Sequence, residues 1–354
     1  ARWPAGCRQA AVSGFRLTKP DLPDVLRLCR RLDGLPLAIE LAAVRVRALP
    51  VAELAARIDA GLAVGTGTRR GTVSRHQTLR AAIEWSYELC TDEEKAAWRR
   101  LSVFAGTFDL AVARDLIACS GAAREDLPPE VAEQVLRGLV DKSVVLPAGA
   151  GRYRLLDSVR EYGAERLADA GEETACRELH LTRYLGLTRE FSHRLVADGQ
   201  PDRLSQLRAE HSNIRGALEY GLTDTCQKAD PAAAARARAA AKLAASLFSY
   251  WVMSGSIREG MRWQDKVLDR FGEQSSERAS ALANLSLLGS AVGVTEATVQ
   301  ANEAIAMAAR VSDDRTEARG YLALQFALTT AGRYQEALEV AKQARWRLEA
   351  LGAD

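Results

Sequence analysis

Three short segments near the end of the chain share one design: Gly255-Ser-Ile-Arg-Glu-Gly, Gly293-Val-Thr-Glu-Ala-Thr and Gly332-Arg-Tyr-Gln-Glu-Ala, spaced 38 and 39 residues apart. Each glycine closes one helical stretch and precedes another. A period of this length means stacked helix pairs, because a single pair covers its apolar face only by packing on its neighbour. From about residue 177 onward no strand signal interrupts the pattern. The apolar spacing predicts helices over 178–196, 203–221, 232–253, 257–270, 277–289, 296–310, 315–330 and 334–350. Trp251, Trp263 and Trp346 fall on these helices and are expected in the core between pairs, the alternative being an aromatic anchor on a concave binding face.

Around Gly332 the residues Ala327, Gly332, Tyr334, Ala337, Leu338 and Ala341 resemble a tetratricopeptide repeat, slightly longer than the usual form. That resemblance implies a repeat domain over 177–354 whose surface receives a ligand or a partner.

The earlier part of the chain is also helical but is organised differently. Asp21-Leu22-Pro23 opens one helix, Pro36 a second and Pro50 a third, proline being favoured in a first turn where its missing N–H is no loss. Residues 61–77, rich in glycine, threonine and arginine, predict an exposed connection. Helices are expected at Leu79–Tyr87, Glu93–Val103, Leu110–Ile117 and Glu130–Asp141, with Thr91 and Glu94 forming a capping box. Leu101, Phe104 and Phe108 are core candidates. A clear β signal follows. Ser143–Leu146 and Arg152–Leu155 flank Pro147-Ala148-Gly149-Ala150-Gly151, so they predict a hairpin. Asp157 is placed to cap the next helix, which ends before Gly171. Several helices, a two-stranded hairpin and a closing helix describe a winged helix. The fold class predicted is mainly α: a helical segment over 1–64, a linker over 65–77, a winged helix over 78–172, then the repeats.

Charge and motifs narrow the function. The 48 lysines and arginines balance 46 acids, leaving a net charge of +2 and no global attraction to nucleic acid. The candidate recognition helix, Pro129 to Asp141, carries Glu130, Glu133 and Asp141 against Arg137 alone, which would repel a phosphate backbone. A winged helix facing protein is expected, although Arg152 and Arg154 on the hairpin and Arg69, Arg70, Arg75 and Arg80 nearby keep a DNA-binding alternative in view. The longest apolar stretch, Ala239 to Val252, is broken by Lys242, Ser246 and Ser249, so no membrane span is predicted. Six dispersed cysteines with no CxxC pair, and four scattered histidines, predict reduced thiols, no zinc site and a cytoplasmic location. There is no G-x-x-x-x-G-K-[ST]. Gly65-Thr-Gly-Thr-Arg-Arg-Gly-Thr lacks the phosphate-binding lysine, and no complete catalytic site is recognisable.

The segment Arg31-Leu32-Asp33-Gly34-Leu35-Pro36-Leu37-Ala38-Ile39-Glu40-Leu41-Ala42-Ala43 resembles the GLPL segment of NB-ARC-like signal-transducing NTPases with numerous domains (the STAND class). In its extended form it is similar to actinobacterial regulators of the large LuxR-type and AfsR-like kind. The likeness continues through Ile83-Glu84-Trp85-Ser86-Tyr87, Leu139-Val140-Asp141-Lys142-Ser143, Tyr153–Tyr162 and Glu210-His211-Ser212-Asn213-Ile214-Arg215. It implies that the P-loop core lies upstream and that this chain, which has no initiator methionine, is the lid, winged helix and repeat region of a longer protein. It implies ATP or ADP as the cofactor of the intact protein, with Pro36 near the base, supported by Gly34 and Leu35. Without the family, the same residues need only be a tight turn and a first-turn proline. The family's Met-His-Asp motif falls on Leu155, Leu156 and Asp157, where Leu156 cannot donate to a phosphate. The resemblance further implies an effector on the repeats, an intramolecular contact with the NTPase core, and DNA binding by a domain outside this chain. A nucleotide-independent adaptor is the other reading of the same residues.

Overall fold

The structure, a computed structural model, describes residues 20–32, 36–46, 49–56, 75–119, 128–193, 200–223, 230–272 and 274–352. It is mainly α, with one small sheet and a terminal array of tetratricopeptide-like helix pairs, as the periodicity predicts. Its contacts divide into two compact units, Ala1–Cys176 and Arg177–Asp354.

In the first unit, α1 (Leu22–Arg31), α2 (Pro36–Arg45) and α3 (51–56) turn Leu28, Leu32, Ala38, Ala42, Leu54 and Ala55 into one core, which Ala82 of α4 (Arg75–Glu88) joins. Helix α4 starts at Arg75, inside the stretch read as a linker. The glycine and threonine signal has ended by then, and Arg, His and Gln are ordinary helix formers. Residues 57–74 lie outside the described residues.

Helix α5 (Asp92–Leu101) begins with the predicted capping box: Glu94 N–H donates to Thr91 Oγ1 at 3.3 Å, and Thr91 N–H donates to Glu94 Oε2 at 2.9 Å. Leu101, Phe104 and Phe108 are all buried, with the two phenyl rings stacked at 4.5 Å. Strand β1 (Phe108–Asp109) precedes α6 (Leu110–Ile117) and α7 (Pro129–Asp141), and β2 (Val145–Gly149) pairs with β3 (Arg152–Leu155). The sheet is antiparallel in the order β1-β3-β2, with Phe108 opposite Tyr153.

This corrects the two-stranded expectation. A two-residue strand carries no alternation to read, and Asp109 belongs to a different signal, accepting from Val112 N–H at 2.9 Å to cap α6. Pro147, read as part of the turn, lies within β2. That strand is an edge, where a missing N–H costs nothing, and a bulge follows at Gly149. The turn itself is Ala150-Gly151, with positive φ at both residues.

Helix α8 (Asp157–Asp169) closes the unit. The capping role expected of Asp157 is corrected. The chain stays extended through Leu156, which takes the cap position without a side-chain acceptor, so Asp157 becomes the first helical residue.

The second unit contains α9 (Glu173–His193, whose first residues belong to the first unit), α10 (Gln200–Ala209), α11 (His211–Leu222), α12 (Pro231–Ser246), α13 (Phe248–Ser254), α14 (Ile257–Arg270), α15 (Ser276–Ala291), α16 (Ala297–Arg310), α17 (Asp314–Thr330) and α18 (Tyr334–Ala350). Two helices expected as continuous are broken, one at Glu210 and one at Leu247. Gly255, Gly293 and Gly332 all have φ between 75° and 78°, a left-handed conformation open to glycine, and this is why the repeat is marked by that residue. Alanines at 279, 283, 301, 304, 308 and 323 pack the helices closely. Trp251 and Trp263 are buried as expected, but Trp346 is 65% exposed. Ala337 and Ala344 set the inner face of α18, and Trp346 lies about 200° around the helix from Ala344.

Candidate functional site

Of the residues that the family likeness ties to nucleotide, Gly34 and Leu35 lie outside the described residues. Pro36 is exposed at the first position of α2. Asp157 is exposed, with its carboxylate 3.7 Å from Arg160. Leu155 is buried and Leu156 is half-buried.

Two of the basic residues that kept DNA in view, Arg80 and Arg152, are engaged within the fold, and Arg69 and Arg70 lie outside the described residues. Arg80 donates twice to Glu165, at 3.0 and 2.6 Å. Arg152 donates to the hydroxyl and the carbonyl of Thr107, at 2.8 and 2.7 Å. On α7, Glu133 stands 3.6 Å from Arg114 and 3.5 Å from Arg137. The groove between α7 and the hairpin is lined by Glu133 and Asp141 as well as Arg137 and Arg152. A mixed surface of this kind lacks the single-signed field that phosphate binding requires.

The Glu210–Arg215 segment forms a polar junction. Glu210, buried where α10 meets α11, accepts from Tyr184 Oη at 2.6 Å and from Asn213 Nδ2 at 2.9 Å. His211 Nδ1 lies 3.0 Å from Tyr250 Oη, and its Nε2 lies 3.3 Å from Glu259. Arg215 also reaches Glu259, at 3.4 Å. These bonds hold α9, α11, α13 and α14 together, which accounts for the motif as structure.

The repeats also hold residues with unspent binding capacity. Arg319 of α17 places its guanidinium 5.8 Å from the Phe248 ring of α13, and no carboxylate among the described residues lies within ion-pair distance. Burial lowers its pKa. Between α17 and α18 a groove of about 330 Å³ is lined by Leu322, Gln325, Ala341, Ala344 and Leu348, with Arg345 and Glu349 at its rim. Leu338, 55% exposed, extends the apolar stripe along α18. Sequence reading missed this groove. Among the described residues no group of three or more His, Cys, Asp and Glu could hold a metal ion, and no helix is long and apolar enough to cross a membrane.

No family model matches the chain. Over 314 residues, 85% of its length, the chain is 36% identical to an HTH-type transcriptional regulator of Mycobacterium tuberculosis and to its counterpart in Mycobacterium bovis. It covers 34% of either relative, so it spans about a third of the length of the curated relatives it matches. Over 166 residues it is 36% identical to the regulatory protein AfsR of Streptomyces griseus, covering 46% of this chain and 16% of that one. A solved structure of a STAND protein with a tetratricopeptide repeat sensor, from Pyrococcus horikoshii, aligns with 89% of this chain and 54% of its own. Its identity of 15% and TM-score of 0.28 transfer neither fold nor function. The chain is thus similar, over most of its own length, to part of actinobacterial HTH-type regulators.

Proposed function

We propose that this chain is the relaying and receiving part of an ATP-regulated transcriptional or signal-transduction regulator. The 314-residue likeness to HTH-type regulators carries this reading. In it, residues 1–64 are the lid of an NTPase module, 78–172 a winged helix and 177–354 the sensor repeats. Gly34, Leu35 and Pro36 border the nucleotide base, and Asp157 faces the same site. ATP or ADP is held by the intact protein, and this chain alone neither binds it tightly nor hydrolyses it. The repeats take a protein or small-molecule effector. DNA is read by a domain outside this chain, and the protein works in the cytoplasm. The mixed charge of the α7 groove supports placing DNA contact elsewhere.

The alternative is a nucleotide-independent adaptor, favoured by Leu156 standing where the family's histidine would be and by Asp157 turning to Arg160. The test is nucleotide retention by the full-length protein. Bound ADP that is released by Pro36→Ala supports the switch. A full-length protein that neither retains nor binds ADP overturns it in favour of the adaptor. Titrating the chain with duplex DNA at low and moderate salt addresses the winged helix separately, and salt-sensitive retention there would refute the protein-facing assignment.

A further inference from the structure

Arg99 and Arg100 hold Glu172, Arg278 donates to the carbonyls of Leu268 and Phe271, and Arg347 pairs with Glu317. In each case an acceptor replaces the water that the guanidinium gives up. Arg319 has no such replacement. It is half-buried on α17, and no oxygen of the described residues accepts from it. Its contact is the Phe248 ring of α13, 5.8 Å from the guanidinium carbon. Helix α15 packs on both α13 and α17, so the side chain crosses α15 to reach that ring. It therefore runs back toward the earlier helices rather than toward α18.

Nearby charges are already matched. On the same helix Glu317 is taken by Arg347 of α18, and Arg315, one turn before Arg319, acts on Asp313 at the start of α17. On α12, Arg238 meets Glu277 of α15 at 3.8 Å. Burial lowers the Arg319 pKa, and no acid raises it again. None of its nitrogens is sealed from solvent. What results is one unmatched positive charge beside an aromatic ring, with a planar fork of donors open to a ligand.

We propose that Arg319 is a carboxylate-binding site, in which the two oxygens of one carboxylate accept paired hydrogen bonds from the guanidinium beside Phe248. A carboxylate is favoured over a phosphate because the site has a single charge to neutralise. A dianion would leave net negative charge where water is partly excluded. The same chemistry is offered by a small organic acid and by the C-terminus of a peptide. This deepens the proposed function, since it rests on the repeats being the receiving part, and it gives the effector a chemical class.

The test is saturation-transfer NMR on the full-length protein with paired probes: benzoate and benzamide, and acetyl-tetraalanine with a free or an amidated C-terminus. Transfer is expected to at least one carboxylate probe and to neither amide, with binding about tenfold weaker in Arg319→Gln. Arg319→Lys, which keeps the charge without the fork, should fall between. A response from benzoate alone assigns a small acid, and one from the peptide alone assigns a chain terminus. Transfer to no probe, equal transfer to acids and amides, affinities unchanged in Arg319→Gln, or tighter binding of inorganic phosphate than of either acid overturns the proposal. So does a lower urea midpoint for Arg319→Gln, since the guanidinium is then satisfied within the fold. Bound ADP is read on the same samples. A protein that lacks ADP but binds benzoate through Arg319 rejects the nucleotide switch and keeps this site. One that holds ADP but answers to no probe rejects this site and keeps the switch.

Discussion

Trp98 donates its indole N–H to the carbonyl oxygen of Val159 at 2.9 Å, tying α5 to α8 across 61 residues of chain. The ring is fully buried, edge-on to Tyr87 at 5.4 Å and tilted to Tyr162 at 6.0 Å. Gly163 lets α8 approach, since a Cβ there would stand 2.9 Å from Trp98 Cδ1. Trp98→Phe removes the donor and leaves part of the ring's space empty. It should cost about 2–3 kcal/mol, read as a lower urea midpoint with an unchanged slope.

Glu172 follows the left-handed Gly171 and is gripped from one side of α5. Arg100 Nε donates to it at 3.0 Å and Arg99 Nη2 at 3.3 Å, while Arg100 Nη1 donates to the Ile117 carbonyl at 2.6 Å. Burial pushes the Glu172 carboxyl up, but the Arg100 and Arg99 guanidiniums outweigh that and hold its pKa below the ordinary value. A depressed carboxylate contributes stability that is present above the unfolded pKa and lost as pH falls through the folded one. Glu172→Gln should therefore destabilise the protein by about 2–3 kcal/mol at pH 7, and the difference from wild type should shrink below about pH 4. Chemical denaturation at pH 7 and pH 3.5 measures both parts.

How much of this could be read from the sequence depends on the range of the interaction. The capping box spans three residues, and the glycine period repeats a local conformation, so both were legible. The α10–α11 and α12–α13 breaks were not, because the helical signal runs through Glu210 and Leu247. Buried bonds from Tyr184 and Asn213 accompany the first break, and such partners appear only in three dimensions. Strand β1 exists through its register with β3, 45 residues later at Phe108 and Tyr153. Asp157 missed its cap by one residue, finer than any spacing argument resolves. Trp346 was placed in the core by residue type, whereas the alanines of α18 decide which face is inward. The groove between α17 and α18 depends on which side chains are exposed, and exposure cannot be read from letters.

His180 reports on the second unit. It is buried against Tyr184, with ring centroids 4.7 Å apart, and burial first, then the Arg177 charge, push its pKa down to about 3. The unfolded chain titrates this ring near about pH 6.5, so between that value and about 3 the unfolded state binds a proton that the folded state refuses. Stability should fall with acidification by up to about 1.4 kcal/mol per pH unit from this group. From pH 7 to pH 5 the wild type should lose about 2 kcal/mol more than His180→Gln does, as read from urea midpoints at the two pH values. Equal losses would mean that the ring is protonated in the fold.

Gly320 and Ile305 set the spacing of the repeats, and a double-mutant cycle can isolate their contact. Gly320→Ala gains up to about 1 kcal/mol of helix propensity. Its new Cβ, however, would meet Ile305 Cγ1 at 2.7 Å and the Ile305 backbone nitrogen at 3.3 Å. Neither atom is the free end of a flexible chain, so α17 must lift from α16, at a cost of about 1–3 kcal/mol that outweighs the propensity gain. A net loss of about 1–2 kcal/mol is expected in thermal or urea unfolding. Ile305→Ala removes the Cγ1 atom and should itself destabilise by opening a gap. The two changes together should cost less than the sum of the single costs by about 1 kcal/mol, because the alanine methyl then occupies the vacated space. Strict additivity would show that α17 and α16 do not press against each other at this point.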